Sequence, residues 1–334
     1  MLRLSPPNFK RFSQAQSFNA IYGGGEANVA VSLANFGIYV DYITRLPNND
    51  LGEACLHFLR QYGVNTDKII RGGDRLGIYF LEMGASSRPS KVIYDRANSA
   101  IATAKLEMFD WDTIFTDASW FHLTGITPAI SQNLADICIE AIKIAKKKNI
   151  TISLDLNYRA KLWNYGKNPH EIMAQLIKNS DIVIGNEEDA DKILGIRAPK
   201  TDITSGNLDP ENYRYVIEKI MQEYSNLKYV AITLRGSLSA SHNTWSGILY
   251  NGKEMYKSPK YDIMHIVDRV GGGDAFTAGL IYGFLTYKDE LQRILDFAIA
   301  SSCLKHTIFG DFNLVSVDEV LKLMGGDTSG RVSR

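Results

Sequence analysis

Residues 266–280 read Ile266-Val267-Asp268-Arg269-Val270-Gly271-Gly272-Gly273-Asp274-Ala275-Phe276-Thr277-Ala278-Gly279-Leu280, and apolar residues recur at helical spacing through Phe284. Glycines just before a helix let backbone N–H groups converge on an anion, and the unsatisfied donors and dipole of the helix start favour negative charge there. The stretch therefore reads as a phosphate cradle opening a helix. A carboxylate at the same helix start would be repelled by a bound phosphate, so Asp274 points to a task such as accepting a hydroxyl proton. Capping the helix is the plain alternative.

Upstream of this turn, β-branched runs alternate with helical periodicity from about residue 110, the pattern of βα units feeding a mostly parallel sheet. Ile150 to Leu156, Asp181 to Ile184 and Tyr229 to Leu234 read as buried strands. Ser131 to Lys148 places Leu134, Ile137, Cys138, Ala141, Ile142 and Ala145 on one helical face, so that helix packs one side on a sheet. Between Leu76 and Ser99, Gly77 to Glu82 and Lys91 to Arg96 read as two strands joined by a Gly/Ser/Pro loop. We expect one α/β domain over residues 1–334, with a discontinuous β lid formed by about 8–22 and 76–99. Tyr79, Tyr94 and Arg96 share a face of the hairpin if the loop sets the register, since Tyr94 and Arg96 are two apart on one strand.

The chain has 334 residues, 45% hydrophobic and 22% charged, and its 37 Lys and Arg balance 37 Asp and Glu. Such a chain buries a large core, and without blocks of like charge it offers no track for nucleic acid and no patch for an anionic membrane. Cys55, Cys138 and Cys303 are far apart and form no Cys-x-x-Cys pair, which fits a reducing cytoplasm. Met1 to Pro7 holds no apolar signal core, and no run approaches the roughly 18 apolar residues of a spanning helix, so the expectation is a soluble protein. There is neither a Gly-x-x-x-x-Gly-Lys-[Ser/Thr] loop nor a Gly-x-Gly-x-x-Gly turn after the first strand, which leaves P-loop and dinucleotide readings without support.

A second glycine run, Tyr22-Gly23-Gly24-Gly25-Glu26-Ala27-Asn28, opens a helix of small residues. Glycine lets a ligand approach the backbone, and Asn28 in the first turn offers both a donor and an acceptor; tight helix packing is the plainer reading. Two phenols and the Arg96 guanidinium suit a polar ligand that carries an anion. A second arginine follows a strand end in Asp155-Leu156-Asn157-Tyr158-Arg159, where open α/β sheets place ligand-binding groups. Surface cations and ordinary strand tyrosines are the alternative.

Asp268 to Asp274 resembles the carboxy-terminal signature of the ribokinase (PfkB) family of carbohydrate kinases, usually Asp-Thr-x-Gly-Ala-Gly-Asp, with Arg269 and Gly272 as departures. The resemblance spans most of the chain and implies a three-layer αβα sandwich with a mostly parallel central sheet and a small β lid. It makes Asp274 the general base and Gly271, Gly272 and Gly273 the anion hole, and it brings Gly24 and Asn28 to the sugar hydroxyls. Gly77-Ile78-Tyr79, Tyr94 to Ala100 and Asp155 to Arg159 together look like the subgroup acting on 2-keto-3-deoxygluconate. On that likeness Tyr79, Tyr94 and Arg96 hold the keto-acid, and Arg159 reaches its carboxylate or the nucleotide phosphates.

Further segments follow the same family. Gly185 to Asp189 resembles its Asn-x-x-Glu motif, which implies that Asn186 and Asp189 help position Mg²⁺ through water, with helix capping as the alternative. Thr233-Leu234-Arg235-Gly236-Ser237 resembles the nucleotide loop, to which Asn157, Arg159, Asn186, Gly271 and Gly273 are added. Lys305 to Asn313 resembles the closing adenine-side segment, with Asp311 as a ligand contact. Family members begin with a strand ahead of the segment matching Met1 to Pro7. Either the start lies at an internal Met, or the sheet is one strand short.

The implied reaction is transfer of phosphate from ATP, with Mg²⁺, to the C6 hydroxyl of the keto-acid; a monovalent cation is a further candidate. Alternatives are a kinase of fructose or another neutral sugar within the family, or a silent regulator that binds a sugar acid or nucleotide. No nucleic acid or membrane partner is expected, and a lid edge invites homo-oligomer pairing.

Overall fold

The computed structural model describes residues 1–197, 211–328 and 330. The elements begin with β1 (Leu2–Ser5), β2 (Asn19–Tyr22), α1 (Gly25–Asn35), β3 (Arg45–Leu46), α2 (Asp50–Arg60), β4 (Ile70–Arg71), β5 (Ile78–Glu82) and β6 (Lys91–Asp95). Next come α3 (Trp111–Ile114), β7 (Trp120–Thr124), α4 (Gln132–Lys147), β8 (Thr151–Asp155), α5 (Pro169–Ile177), β9 (Ile182–Asn186), α6 (Glu187–Leu194) and α7 (Glu211–Glu223). The last are β10 (Tyr229–Ser239), β11 (His242–Tyr250), β12 (Met255–Lys257), β13 (Tyr261–Ile263), α8 (Gly272–Tyr287), α9 (Leu291–Lys305) and α10 (Val317–Met324).

The large sheet has the order β12-β11-β10-β9-β8-β7, with β13 also on β11. It is mixed rather than mostly parallel: β7, β8, β9 and β10 pair in parallel, whereas β11 turns back on β10 and pairs antiparallel with β12 and β13. The parallel strands are buried on both faces, as crossover helices require. Val183, Val230 and Ile232 face Ile142, Met173 and Ile217 of the helices on one side. Ile182, Ile184 and Ala231 face Phe276, Leu280 and Leu295 of α8 and α9 on the other. These are the three layers the resemblance implied. The apolar stripe foreseen on α4 is buried throughout, and Ser131 caps that helix by accepting from Leu134 N.

A second sheet, in the order β2-β1-β5-β6, joins the Leu76–Ser99 hairpin to the amino-terminal segment. Leu2–Ser5 lies in its middle, antiparallel to β2 and parallel to β5, while only Asn19–Tyr22 of the following segment is strand and Phe12–Gln14 is a single 3₁₀ turn.

β3 and β4 pair only with each other, and β7 ends the large sheet. A cavity of about 550 Å³, lined from one side by Val40 and Ile43 and from the other by Trp120 and His122, lies between them. The sheet thus falls short of joining β3 to β7. Among the described residues no helix is long and apolar enough to cross a membrane.

Candidate active site

α8 starts at the glycine turn. Its N-cap is Gly271 at φ 83°, in the left-handed region, and a Cβ there would lie 2.0 Å from the Asp311 carbonyl oxygen. Both facts demand glycine. Ala275 N donates to Gly271 O at 2.8 Å, whereas among the described residues the amides of Gly273 and Asp274 donate to no acceptor. Those are the orphan donors of a helix start, aimed where an anion would sit. A Cβ on Gly273 would meet nothing within 4 Å, so that face is open; one on Gly272 would come within 2.8 Å of His306 Cε1, and glycine there matches a buried imidazole behind the turn. We expect Gly271→Ala to destabilise the protein by at least about 1–3 kcal/mol, the range for a forced left-handed residue. Urea unfolding measures this, and an unchanged midpoint would refute the close approach.

Asp274 sits in the first turn of α8 and is buried, yet it does not cap the helix. Its Oδ2 accepts from Asn28 Nδ2 at 2.6 Å, and Asn28 Oδ1 in turn accepts from Gly24 N at 3.2 Å. The two glycine runs therefore meet through one hydrogen-bonded pair. Burial lifts the Asp274 pKa to about 6, against the opposing Asn28 hydrogen bond and with the Asp311 charge adding to the rise. A carboxyl poised near neutrality is suited to accepting a proton.

These groups line a cleft of about 300 Å³ at the carboxyl ends of β8 and β9. It gathers Gly24, Asn28, Tyr79, Tyr94, Arg96, Asn157, Arg159, Asn186, Asp189, Thr233, Arg235, Gly271, Gly272, Gly273, Asp274 and Asp311. Tyr79 and Tyr94 are direct cross-strand partners, which sets them on one face of the hairpin, and Arg96 follows one residue beyond β6. Tyr79 donates its hydroxyl to Asp311 Oδ2 at 2.6 Å. The Arg96 guanidinium makes no hydrogen bond or ion pair among the described residues; burial lowers its pKa, opposed first by the Glu26 charge. Among the described residues the Arg159 guanidinium donates only to its neighbour's carbonyl, Tyr158 O, at 2.7 Å.

The family model for pfkB carbohydrate kinases matches residues 4–313. The chain belongs to that family. The crystal structure of 2-dehydro-3-deoxygluconokinase from Thermotoga maritima is 49% identical, with a TM-score of 0.92 over 98% of this chain and 97% of that one. A 2-dehydro-3-deoxygalactonokinase from Haloferax volcanii is 30% identical over 99% of this chain and 96% of its own length. The 2-dehydro-3-deoxygluconokinase of Bacillus subtilis is 28% identical over 84% of this chain and 80% of its own.

Within this pfkB kinase, the segment expected as the nucleotide loop takes a different local form. Thr233 to Ser237 is no loop: β10 runs on to Ser239, with Gly236 opposite Thr244 and Ser237 opposite Asn243 on β11. Pairing with β11 holds Gly236 and Ser237 in the strand and outside the cleft lining, while Thr233 and Arg235 remain in it. Asn186 and Asp189 form a capping box on α6: Asn186 Oδ1 accepts from Glu188 N and Asp189 N, Asp189 Oδ2 accepts from Asn186 N, and Asp189 Oδ1 accepts from Tyr158 N. The capping alternative thus describes what these side chains do in the fold.

Three further residues were assigned no site role from the sequence. Asp155 is buried in the cleft and its pKa is pushed well up by burial, then by the Asp189 and Asp274 charges. Arg269 also lines the cleft, donates to Asn243 Oδ1 at 3.1 Å, and has its pKa lowered by burial and by the Arg235 charge. Arg3, fully buried on β1, pairs with Asp268 at 2.7 Å and Asp311 at 2.9 Å, tying the small sheet to the glycine turn.

Proposed function

We propose that this pfkB kinase phosphorylates the C6 hydroxyl of 2-keto-3-deoxygluconate with MgATP, giving the 6-phosphate. The observation that carries the substrate choice is Arg96, a half-buried guanidinium that feels the Glu26 charge but forms no ion pair among the described residues, set next to Tyr94 in the cleft that holds Asp274. A half-buried guanidinium facing a cleft with its donors unpaired is set to bind an anion, and a substrate carboxylate supplies that partner. A neutral sugar would leave it unpaired. The 2-dehydro-3-deoxygluconokinases named among the relatives support the same choice.

In this reading the O6 lone pair attacks the γ-phosphorus, the bond from that phosphorus to the bridging oxygen breaks, and ADP leaves with the electron pair. Asp274 takes the O6 proton, held in line by Asn28. The free amides of Gly273 and Asp274 stabilise the charge on the moving phosphoryl oxygens, and the helix dipole adds to them. Arg159, Arg235, Asn157, Asn186 and Thr233 line the nucleotide's side of the cleft. The sheet carrying Tyr79 and Tyr94 acts as the lid that excludes water.

Among the described residues no group of three or more His, Cys, Asp or Glu is placed to ligate a metal. Mg²⁺ keeps several waters and takes few carboxylates besides the substrate's phosphates, so a hydrated ion beside Asp155 and Asp189 fits this donor set. When bound with the nucleotide it supplies charge neutralisation of the phosphates.

The test is an ADP-release assay with ATP and Mg²⁺ across 2-keto-3-deoxygluconate, its C4 epimer 2-keto-3-deoxygalactonate, and fructose. We expect kcat/KM to rank a keto-acid above fructose; a preference for fructose overturns the reading. The Haloferax relative makes the epimer a necessary comparison. In the same assay, Arg96→Met raises KM for the keto-acid by about 10- to 100-fold, the worth of a hydrogen bond to a charged group. An unchanged KM would remove Arg96 from the substrate site.

A further inference from the structure

Lys305 closes α9 and is 0% exposed, yet it is no part of the cleft lining. Its ammonium donates to two backbone carbonyls, Asp268 O at 3.1 Å and Ile308 O at 3.2 Å, and pairs directly with no carboxylate among the described residues. A buried charge of this kind is expensive unless the fold uses it. What surrounds it shows the use. The first carbonyl belongs to the residue that leads into the glycine turn. The second leads into Gly310 and Asp311, whose carbonyl oxygen abuts Gly271, and a Cβ on Gly271 would also lie 3.2 Å from Lys305 Cε. The Asp268 side chain closes the same loop by accepting from Val270 N and Gly310 N, each at 3.1 Å.

Converging backbone carbonyls with carboxylates at longer range are the surroundings that a weakly hydrated monovalent cation takes in place of its water. Here the place is filled by a covalently tethered cation. We propose that Lys305 is the resident cation of the glycine turn, bracing the Asp268 and Ile308 carbonyls against Gly271 so that the anion-hole amides stay aimed without any bound alkali ion. Lys305 is thus a positioning residue and touches neither substrate. Burial lowers its pKa to about 8, against the attraction of Asp268 and Asp311, so the ammonium keeps its charge at neutral pH.

The activity arm of the test rests on the kinase reading; the stability arm does not. In wild type, turnover and melting temperature are the same in potassium, sodium or choline chloride at equal ionic strength. In Lys305→Met, kcat falls by up to about 10²-fold, the cost of misplacing catalytic groups by about an ångström, with KM for the sugar acid little changed. Potassium or ammonium, but not choline, restores part of that loss saturably and raises the melting temperature of the variant. A wild type that requires potassium overturns the proposal, as does a folded Lys305→Met enzyme with full turnover or with no response to small cations. If the variant does not fold, the wild-type comparison decides alone. If wild type phosphorylates no sugar, the kinase reading fails while the melting measurements still judge Lys305.

Discussion

Asp274→Asn lowers kcat by about 10²- to 10⁴-fold, the usual worth of a general base. The substitution keeps the shape of the side chain, and its amide oxygen can still accept from Asn28 Nδ2, which now reaches Asp274 Oδ2 at 2.6 Å. The Gly273 amide and the α8 dipole are untouched, so ATP binding, followed by calorimetry, stays as in wild type. Near-normal turnover would show that Asp274 is not the base.

The same carboxyl sets a pH signature. Its folded pKa of about 6 stands above the ordinary 3.8, raised first by burial. The base works only when ionised, so kcat/KM of wild type climbs with pH to a plateau above about 6. Stability runs the other way. Favourable burial of the neutral acid is fully present below about 3.8 and is lost as pH rises through about 6. At pH 7 to 8 the wild type therefore carries a buried charge that the amide variant lacks. Asp274→Asn should unfold at higher urea than wild type there and at about the same urea near pH 3.5. The site stores instability in return for a base that is ionised at neutral pH.

How far the sequence reaches depends on whether a residue's role is local. The glycine turn was legible because Gly271 N-caps the helix whose periodicity follows it, and the shared face of Tyr79 and Tyr94 was legible because a hairpin fixes its own register. The segment likened to the nucleotide loop is strand in the fold, because the antiparallel partner β11 that keeps Gly236 in a strand is decided by tertiary pairing. The sheet's mixed character escaped for the same reason. Arg3 was given no role, because its partner Asp311 is 308 residues further on and no local pattern marks such a pairing. Lys305 appeared only as the border of a segment, since its acceptors are backbone carbonyls, which sequence does not mark.

Arg3→Met destabilises the protein by about 3–5 kcal/mol, the range for breaking a buried ion pair from one side. The guanidinium is fully buried; it pairs with Asp268 and Asp311 and donates its Nε to Ser5 Oγ at 2.8 Å. Methionine fills much of the volume but leaves both carboxylates buried without their cation. Burial already pushes the Asp311 pKa up against the pull of Arg3, and loss of that pull raises it further. The Tyr79 hydroxyl then bonds a partner closer to neutral, and the small sheet loosens from the turn. Urea unfolding gives the energy. Removing a second member of the cluster separates a charge effect from a packing effect: Arg3→Met with Asp268→Asn should cost less than the sum of the two single changes, because the second leaves fewer orphaned charges. Strict additivity would mean that Arg3 acts through its volume. Turnover divides the same way, since Arg3 touches no reacting atom but holds Asp268 on one side and Asp311 on the other. Its loss should raise KM for the sugar acid through Tyr79 and lower kcat through the turn, whereas Arg96→Met moves KM alone.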